Sequence, residues 1–203
     1  MKKKNLPAMI VVMLMVFSIM PVLMLKVYAE TDTVRSTGGE VIDGASFVGA
    51  LGGDEYASYS EADGIYTVTL NGNTELTDYI IIRSGNFILQ GSGTITRAEG
   101  YTGTLIKTDS VASLTLGGDV IVDGGAVWKK DGQPSLPSED AENTGITGTG
   151  ALIYSIGTFT LTENAVIRNN DAGSNSSYAI ESYGPLYIKA GPYTDAAVMG
   201  VLQ

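Results

Sequence analysis

Between residues 65 and 97, in IYTVTLNGNTELTDYIIIRSGNFILQGSGTITR, apolar and polar positions alternate, and glycine or asparagine breaks the alternation every few residues. A period of two puts successive side chains on opposite faces, so these runs predict short β-strands with one apolar face each. No later segment keeps a helical period over the length a helix needs. Upstream, Ser46 to Leu51 predicts one short helical turn, with Ser46 as N-cap and Gly52 as its stop. Residues 30 to 45 lack periodicity and read as a flexible leader.

The pattern also repeats. Phe87-Ile88-Leu89, Leu114-Thr115-Leu116, Phe159-Thr160-Leu161 and Leu186-Tyr187-Ile188 are one small unit, two large apolar residues flanking one that points the other way, at spacings of 27, 45 and 27. The long spacing is one period plus an insertion of 18, visible as AVWKKDGQPSLPSEDAENTG (126 to 145) with two prolines and a cluster of charges. A second set, YIIIR (79 to 83), TLIKT (104 to 108), ALIYS (151 to 155) and YAIES (178 to 182), precedes the first each time. A third, GTITR (93 to 97), VIVDG (120 to 124) and AVIRN (165 to 169), follows it.

Three strands per period joined by one or two residues do not fit hairpins, which need matched antiparallel strands. A chain that turns after every strand instead lays each coil on the one before, at about 4.8 Å per coil, and buries its apolar faces by stacking. The expected fold is therefore all-β: a right-handed parallel β-helix of about four coils, three short strands per coil, with a short N-terminal capping helix. Phe87, Leu89, Leu114, Leu116, Phe159, Leu161, Leu186 and Ile188 should line its interior in two columns, with Thr115 and Thr160 outside. In the third strand either Val166 or Ile167 faces inward. The domain would run from 46 to 203, with a cap at 46 to 64.

At TGTGALIYSIGTFTLTENAVIRNN (147 to 170) the chain resembles secreted bacterial surface proteins with right-handed, pectin-lyase-like parallel β-helices, including adhesin-like repeats of the polymorphic outer-membrane type. Gly148-Thr149-Gly150-Ala151-Leu152 matches their glycine-rich start, and Ile167-Arg168-Asn169-Asn170 their terminal asparagine after an apolar residue. The likeness covers roughly residues 65 to 190. It departs at Tyr178-Ala179-Ile180, which lacks the glycine pair, and at Gly125, which stands one coil before Asn170. The resemblance implies adhesion or surface and matrix contact, with a host or neighbouring-cell surface protein or glycan as partner. Its alternative is a polysaccharide-binding or polysaccharide-active β-helix, and fold alone carries no chemistry across.

The N-terminus changes the picture of where the protein works. Lys2, Lys3 and Lys4 precede an apolar run from Leu6 to Leu25 and a small-residue exit at Val27-Tyr28-Ala29, the three-part pattern of a secretory signal cut after Ala29. An uncleaved anchor is the competing reading, since the run approaches the ~20 residues that span a bilayer; Pro7 and Pro21 interrupt it. Either way the chain leaves the cytoplasm for the exterior or the cell surface. Cleavage leaves 174 residues, one domain's worth, and removes four lysines and no acid, taking the formal charge from −10 to −14. Such a surface repels nucleic acid and lipid headgroups. The mean hydropathy of +0.14 is inflated by the same run.

Histidine and cysteine are absent. That excludes imidazole bases, thiol nucleophiles, disulfide staples and His or Cys metal sites, and neither a cofactor nor catalysis is expected. If a glycosidase were present, Asp119 and Asp123 are its nearest carboxylates, although one coil on their places are taken by Asn164 and Arg168. A calcium-assisted lyase would use Asp119 and Asp123 with Arg168 as proton acceptor. The plainer reading makes all three turn residues that satisfy backbone groups. The insertion is the expected contact surface, because loops carry recognition: Trp128 beside Lys129, Lys130 and Asp131 either stacks on a partner or tucks over the coil edge. Asn169, Asn170 and Asn175 fit turn chemistry, and Asn175-Ser176-Ser177 also matches a glycosylation acceptor. The apolar end YTDAAVMGVLQ stands where a stacked array needs a polar cap, which predicts further coils beyond it or a covering partner.

Overall fold

The short alternating runs become strands whose buried positions are mostly the apolar ones, with Thr74, Arg97, Thr108 and Ser155 buried among them. The structure is a computed structural model that describes residues 32–189 apart from 137, 139, 163 and 173–177. The expected signal segment 1 to 29, the apolar end 190 to 203 and Asn175 lie outside the described residues.

The strands are β1 (Thr33–Ser36), β2 (Gly39–Val41), β3 (Ala57–Ala62), β4 (Ile65–Leu70), β5 (Asn73–Leu76), β6 (Ile80–Ile82), β7 (Gly85–Arg97), β8 (Ile106–Thr108) and β9 (Ala112–Leu116). Further on come β10 (Asp119–Asp123), β11 (Trp128–Lys130), β12 (Gln133–Pro134), β13 (Glu142–Asn143), β14 (Ile153–Ser155), β15 (Thr158–Leu161), β16 (Val166–Arg168), β17 (Ile180–Ser182) and β18 (Leu186–Ile188). A helix, α1 (Gly44–Ala50), lies between β2 and β3. The protein is thus mostly β, with parallel pairing between the repeats.

Three parallel stacks share one core. The first runs β2-β6-β8-β14-β17. The second runs from β4 through the first half of β7 to β9, β15 and β18, and the third from β1 through β5 and the second half of β7 to β10 and β16. The chain visits the stacks in the same order on every pass. Phe87, Leu114, Phe159 and Leu186 are in register, as are Leu89, Leu116, Leu161 and Ile188. The first three of each column are at most 1% exposed, while on the last described strand Leu186 is half-buried and Ile188, expected to line the interior, is exposed. Ile167, not Val166, faces the core, at 4% against 41% exposure.

Glycines let successive repeats approach. A Cβ on Gly157 would overlap the carbonyls of Asp109 and Ala112, and one on Gly184 would overlap those of Ile156 and Gly157. Beside them, Ser155 and Ser182 each donate to the carbonyl two residues on, the same turn in two successive repeats.

Three expectations are corrected. Residues 30 to 45 are not a flexible leader throughout: β1 pairs with β5 and β2 with β6, extending the stacks by one pass. Asp43 rather than Ser46 caps the helix; Asp43 Oδ1 accepts from the Ser46 backbone N–H at 2.8 Å, and Ser46 Oγ accepts from the Asp43 N–H in return. Ile80 pairs with Ile106, one residue off the alignment of YIIIR with TLIKT. The offset is a uniform 26 residues along the strand, so Tyr79, not Ile80, stands where Leu105 does one repeat on.

Helix α1 closes one end of the core. Phe47 meets Phe87 edge-on at 5.6 Å, and Tyr66 stacks on the same ring at 5.2 Å. The helix's last carbonyls are satisfied from the stacks, Ala50 O by Ser36 Oγ and Leu51 O by Thr74 Oγ1. Strands β3 and β4 then form an antiparallel hairpin that places β3 beside the second stack.

Candidate functional site

Asp123 ends β10 and Arg168 ends β16, and the register sets them side by side. Asp123 Oδ2 accepts from Arg168 Nε at 2.7 Å and from Asn169 Nδ2 at 2.9 Å, and Oδ1 accepts from the Gly125 N–H at 2.8 Å. Asn169 makes that contact from a left-handed backbone, φ 55. The carboxylate therefore ties the turn after β10 to the end of β16. Asp119 stands exposed at the other end of the same strand, four residues away, or about 13 Å at the usual rise per residue. That separation exceeds the ~5–9.5 Å that paired carboxylates need for glycosidic cleavage. The three residues expected to gather for a lyase do so only as the pair Asp123–Arg168.

The insertion is ordered as a three-stranded antiparallel sheet, β12-β11-β13. Asp131 and Gly132 both have positive φ, 52 and 73, and join β11 to β12 as a two-residue turn, the geometry that Asp-Gly favours. Asp131 is thus the turn of a hairpin. Trp128 is half-buried opposite Asn143, Lys129 lies between Glu142 and Pro134, and Lys130 Nζ pairs with Asp140 at 3.0 Å on the exposed surface. Sequence reasoning missed Asn143, which fixes the root of this sheet: its Oδ1 accepts from the N–H groups of Val127 and Gly145, and its Nδ2 donates to Asp171 Oδ2 at 2.7 Å in the next coil.

Arg97 was missed as well. It is 2% exposed and donates to the carbonyls of Gly103, Gly124 and Gly150 at 2.8, 3.2 and 3.0 Å. Burial lowers its guanidinium from the ordinary value. Nearby, burial chiefly, and then Asp78, push the Tyr101 phenol up to about 12.

The outer face of the second stack has another character. Ser60, Thr67, Ile88, Thr115, Thr160 and Tyr187 form one column in register across six strands. Asn86, Ser113 and Thr158 run beside it on one side, Ser58, Thr69 and Gln90 on the other. None of these is charged, although 34 of the chain's 203 residues are. The first stack instead carries Glu40, Lys107 and Glu181 outward, and the third Arg35, Glu75, Asp123 and Arg168. At the β18 end of this face Thr115, Thr160, Leu186, Tyr187, Ile188 and the charged Lys189 line an open depression, with Tyr187 56% exposed.

Compared with family models, curated proteins and solved structures, the chain matches none. Among the described residues no three carboxylates gather in a way that would hold a metal ion, and no helix is long and apolar enough to cross a membrane.

Proposed function

We propose that this is a secreted or cell-surface, non-enzymatic protein built as a right-handed parallel β-helix, whose outer faces and insertion sheet make adhesive or matrix contacts. One observation carries the reading: the paired, in-register strands recur at 27, 45 and 27 residues while the candidate carboxylate, Asp123, is taken up by Arg168, Asn169 and the Gly125 N–H. Its polar atoms hold coils together and leave no lone pair conveniently placed for a substrate. Export rests on the signal pattern at residues 1 to 29, and handedness on the general preference of parallel crossovers.

The insertion supports contact rather than chemistry, since Lys130 is ion-paired with Asp140, Lys129 stands opposite Glu142 in the register, and its strands form an antiparallel sheet. The test has two arms. Purified protein should bind cells or matrix saturably, and should release neither reducing sugar nor unsaturated product from pectic and other acidic glycans, with or without Ca²⁺. Turnover that disappears in Asp123→Ala and Arg168→Ala, with the fold intact, would replace this reading by the polysaccharide-active one, which the 2.7 Å juxtaposition of the two side chains favours.

A further inference from the structure

We infer that the outer face of the second stack, from β3 to β18, is a binding surface for a neutral, hydroxyl-rich polysaccharide, with Tyr187 and the threonines of its depression as the anchoring subsite; this rests on the contact function proposed above. The argument begins with charge. The chain carries 22 acidic residues against 12 basic ones, yet the outward column from Ser60 to Tyr187 holds no charge, and Lys189 stands beside it only at the depression on the last described strand. A polyanion meets no cation along that column before Lys189 at its end, and the acidic balance of the chain repels it.

The chemistry of the face then narrows the partner. Hydroxyls and amides dominate, each able to donate and accept. Apolar side chains are few and scattered on this face, Ile88 in the column, Ile65 beside it and Leu186 with Ile188 at the depression, whereas protein interfaces are cored by clustered aromatic and apolar side chains. Five strand-to-strand steps from Ser60 to Tyr187 give a flat track of about 24 Å, long enough for several sugar units in line. At its end the exposed ring of Tyr187 borders a depression lined also by Thr115, Thr160, Leu186, Ile188 and Lys189. An aromatic body with a polar tip beside hydroxyls suits a sugar, whose ring presents C–H groups on its face and hydroxyls at its rim. Net binding would come from exchanging water hydrogen bonds along the track and covering the tyrosine ring.

The probe is amorphous cellulose, an uncharged glucan, with immobilised polygalacturonate as the charged comparison, and depletion isotherms are measured on the full exported chain at low and high salt. Saturable binding to cellulose, insensitive to salt and weakened roughly tenfold or more in both Thr160→Glu and Tyr187→Ala, is the expected result. Both substitutions fall at solvent-facing positions, and far-UV circular dichroism checks that the variants fold. No binding to cellulose, preference for polygalacturonate, or binding untouched by both variants overturns the inference. So does self-association abolished by Thr160→Glu, which would make the face an interface between copies. Cell or matrix adhesion measured on the same proteins separates the two claims: adhesion that survives without cellulose binding sinks this inference alone, and loss of both sinks the contact function too.

Discussion

Arg168 Nε donates to Asp123 Oδ2 at 2.7 Å, across the register that joins β10 to β16. The Asp123 side chain is 12% exposed and that of Arg168 45%, so the carboxylate bears most of the desolvation. Removing it strands the Gly125 N–H and one Asn169 amide as well as the guanidinium. Asp123→Ala should therefore cost about 2–4 kcal/mol of stability, and Arg168→Ala about 1 kcal/mol or less, since its guanidinium is largely hydrated. Urea denaturation of the two variants checks the order.

The stacked columns predict a sharp contrast within single strands. Leu114 is 1% exposed between Phe87 and Phe159, and truncation to alanine should cost about 2–5 kcal/mol through lost transfer energy and the cavity left behind. Val166, 41% exposed and adjacent to the buried Ile167, should tolerate alanine within about 0.5 kcal/mol. Denaturation midpoints in urea distinguish them, and equal losses would mean that the inward and outward assignments are wrong.

Those columns were legible because each repeat supplies two large inward residues at a constant offset, so Phe87, Leu114, Phe159 and Leu186 align without any structural help. The first pass was not legible, because β2 offers one buried residue, Val41, whose partner Ile82 lies 41 residues on, beyond a helix and a hairpin. Leu105 hid a slip of one residue, since Leu105 and Ile106 are both fully buried and either fits the pattern. Of the candidate site, the pairing of Asp123 with Arg168 followed from the 45-residue offset, whereas Asn143 and Arg97 depend on backbone carbonyls and amides that only folding brings near. The Asp131-Gly132 turn was readable from its dipeptide, but the prolines and charges around it suggested an irregular loop. The uncharged face shows only when strands far apart in the chain are set side by side.

Glycine-to-alanine changes should have opposite signs at two places. Gly157→Ala drives a methyl group into the carbonyls of Asp109 and Ala112 and should cost about 3 kcal/mol, because backbone in the neighbouring repeat cannot move aside cheaply. Gly49→Ala meets nothing within 4 Å on the exposed side of α1, and should stabilise by up to about 1 kcal/mol through helix propensity. Thermal melts of the two variants give the test; a stable Gly157→Ala protein would deny the close approach of coils.

Asp43 and Tyr101 should set opposite ends of the pH range. The Ser46 backbone N–H, and then its side chain, hold the Asp43 carboxyl below its ordinary value of 3.8. A depressed acid contributes stability above its unfolded value and loses it as pH falls through the folded one, so the difference between wild type and Asp43→Ala should shrink below about pH 4. Tyr101 runs the other way: its phenol is raised from 10.0 to about 12, so its neutral form is favoured in the folded chain and the stability it contributes is present below pH 10. That contribution should be lost as pH rises from 10 through 12. Tyr101→Phe keeps the ring but removes the ionisable group and the hydrogen bond to Thr104 O, so it should be less stable than wild type near neutrality. The gap should narrow across that alkaline window, read by urea midpoints at fixed pH. A gap constant from pH 9 to 12 would mean that the phenol ionises at its ordinary value and is not shielded by the fold.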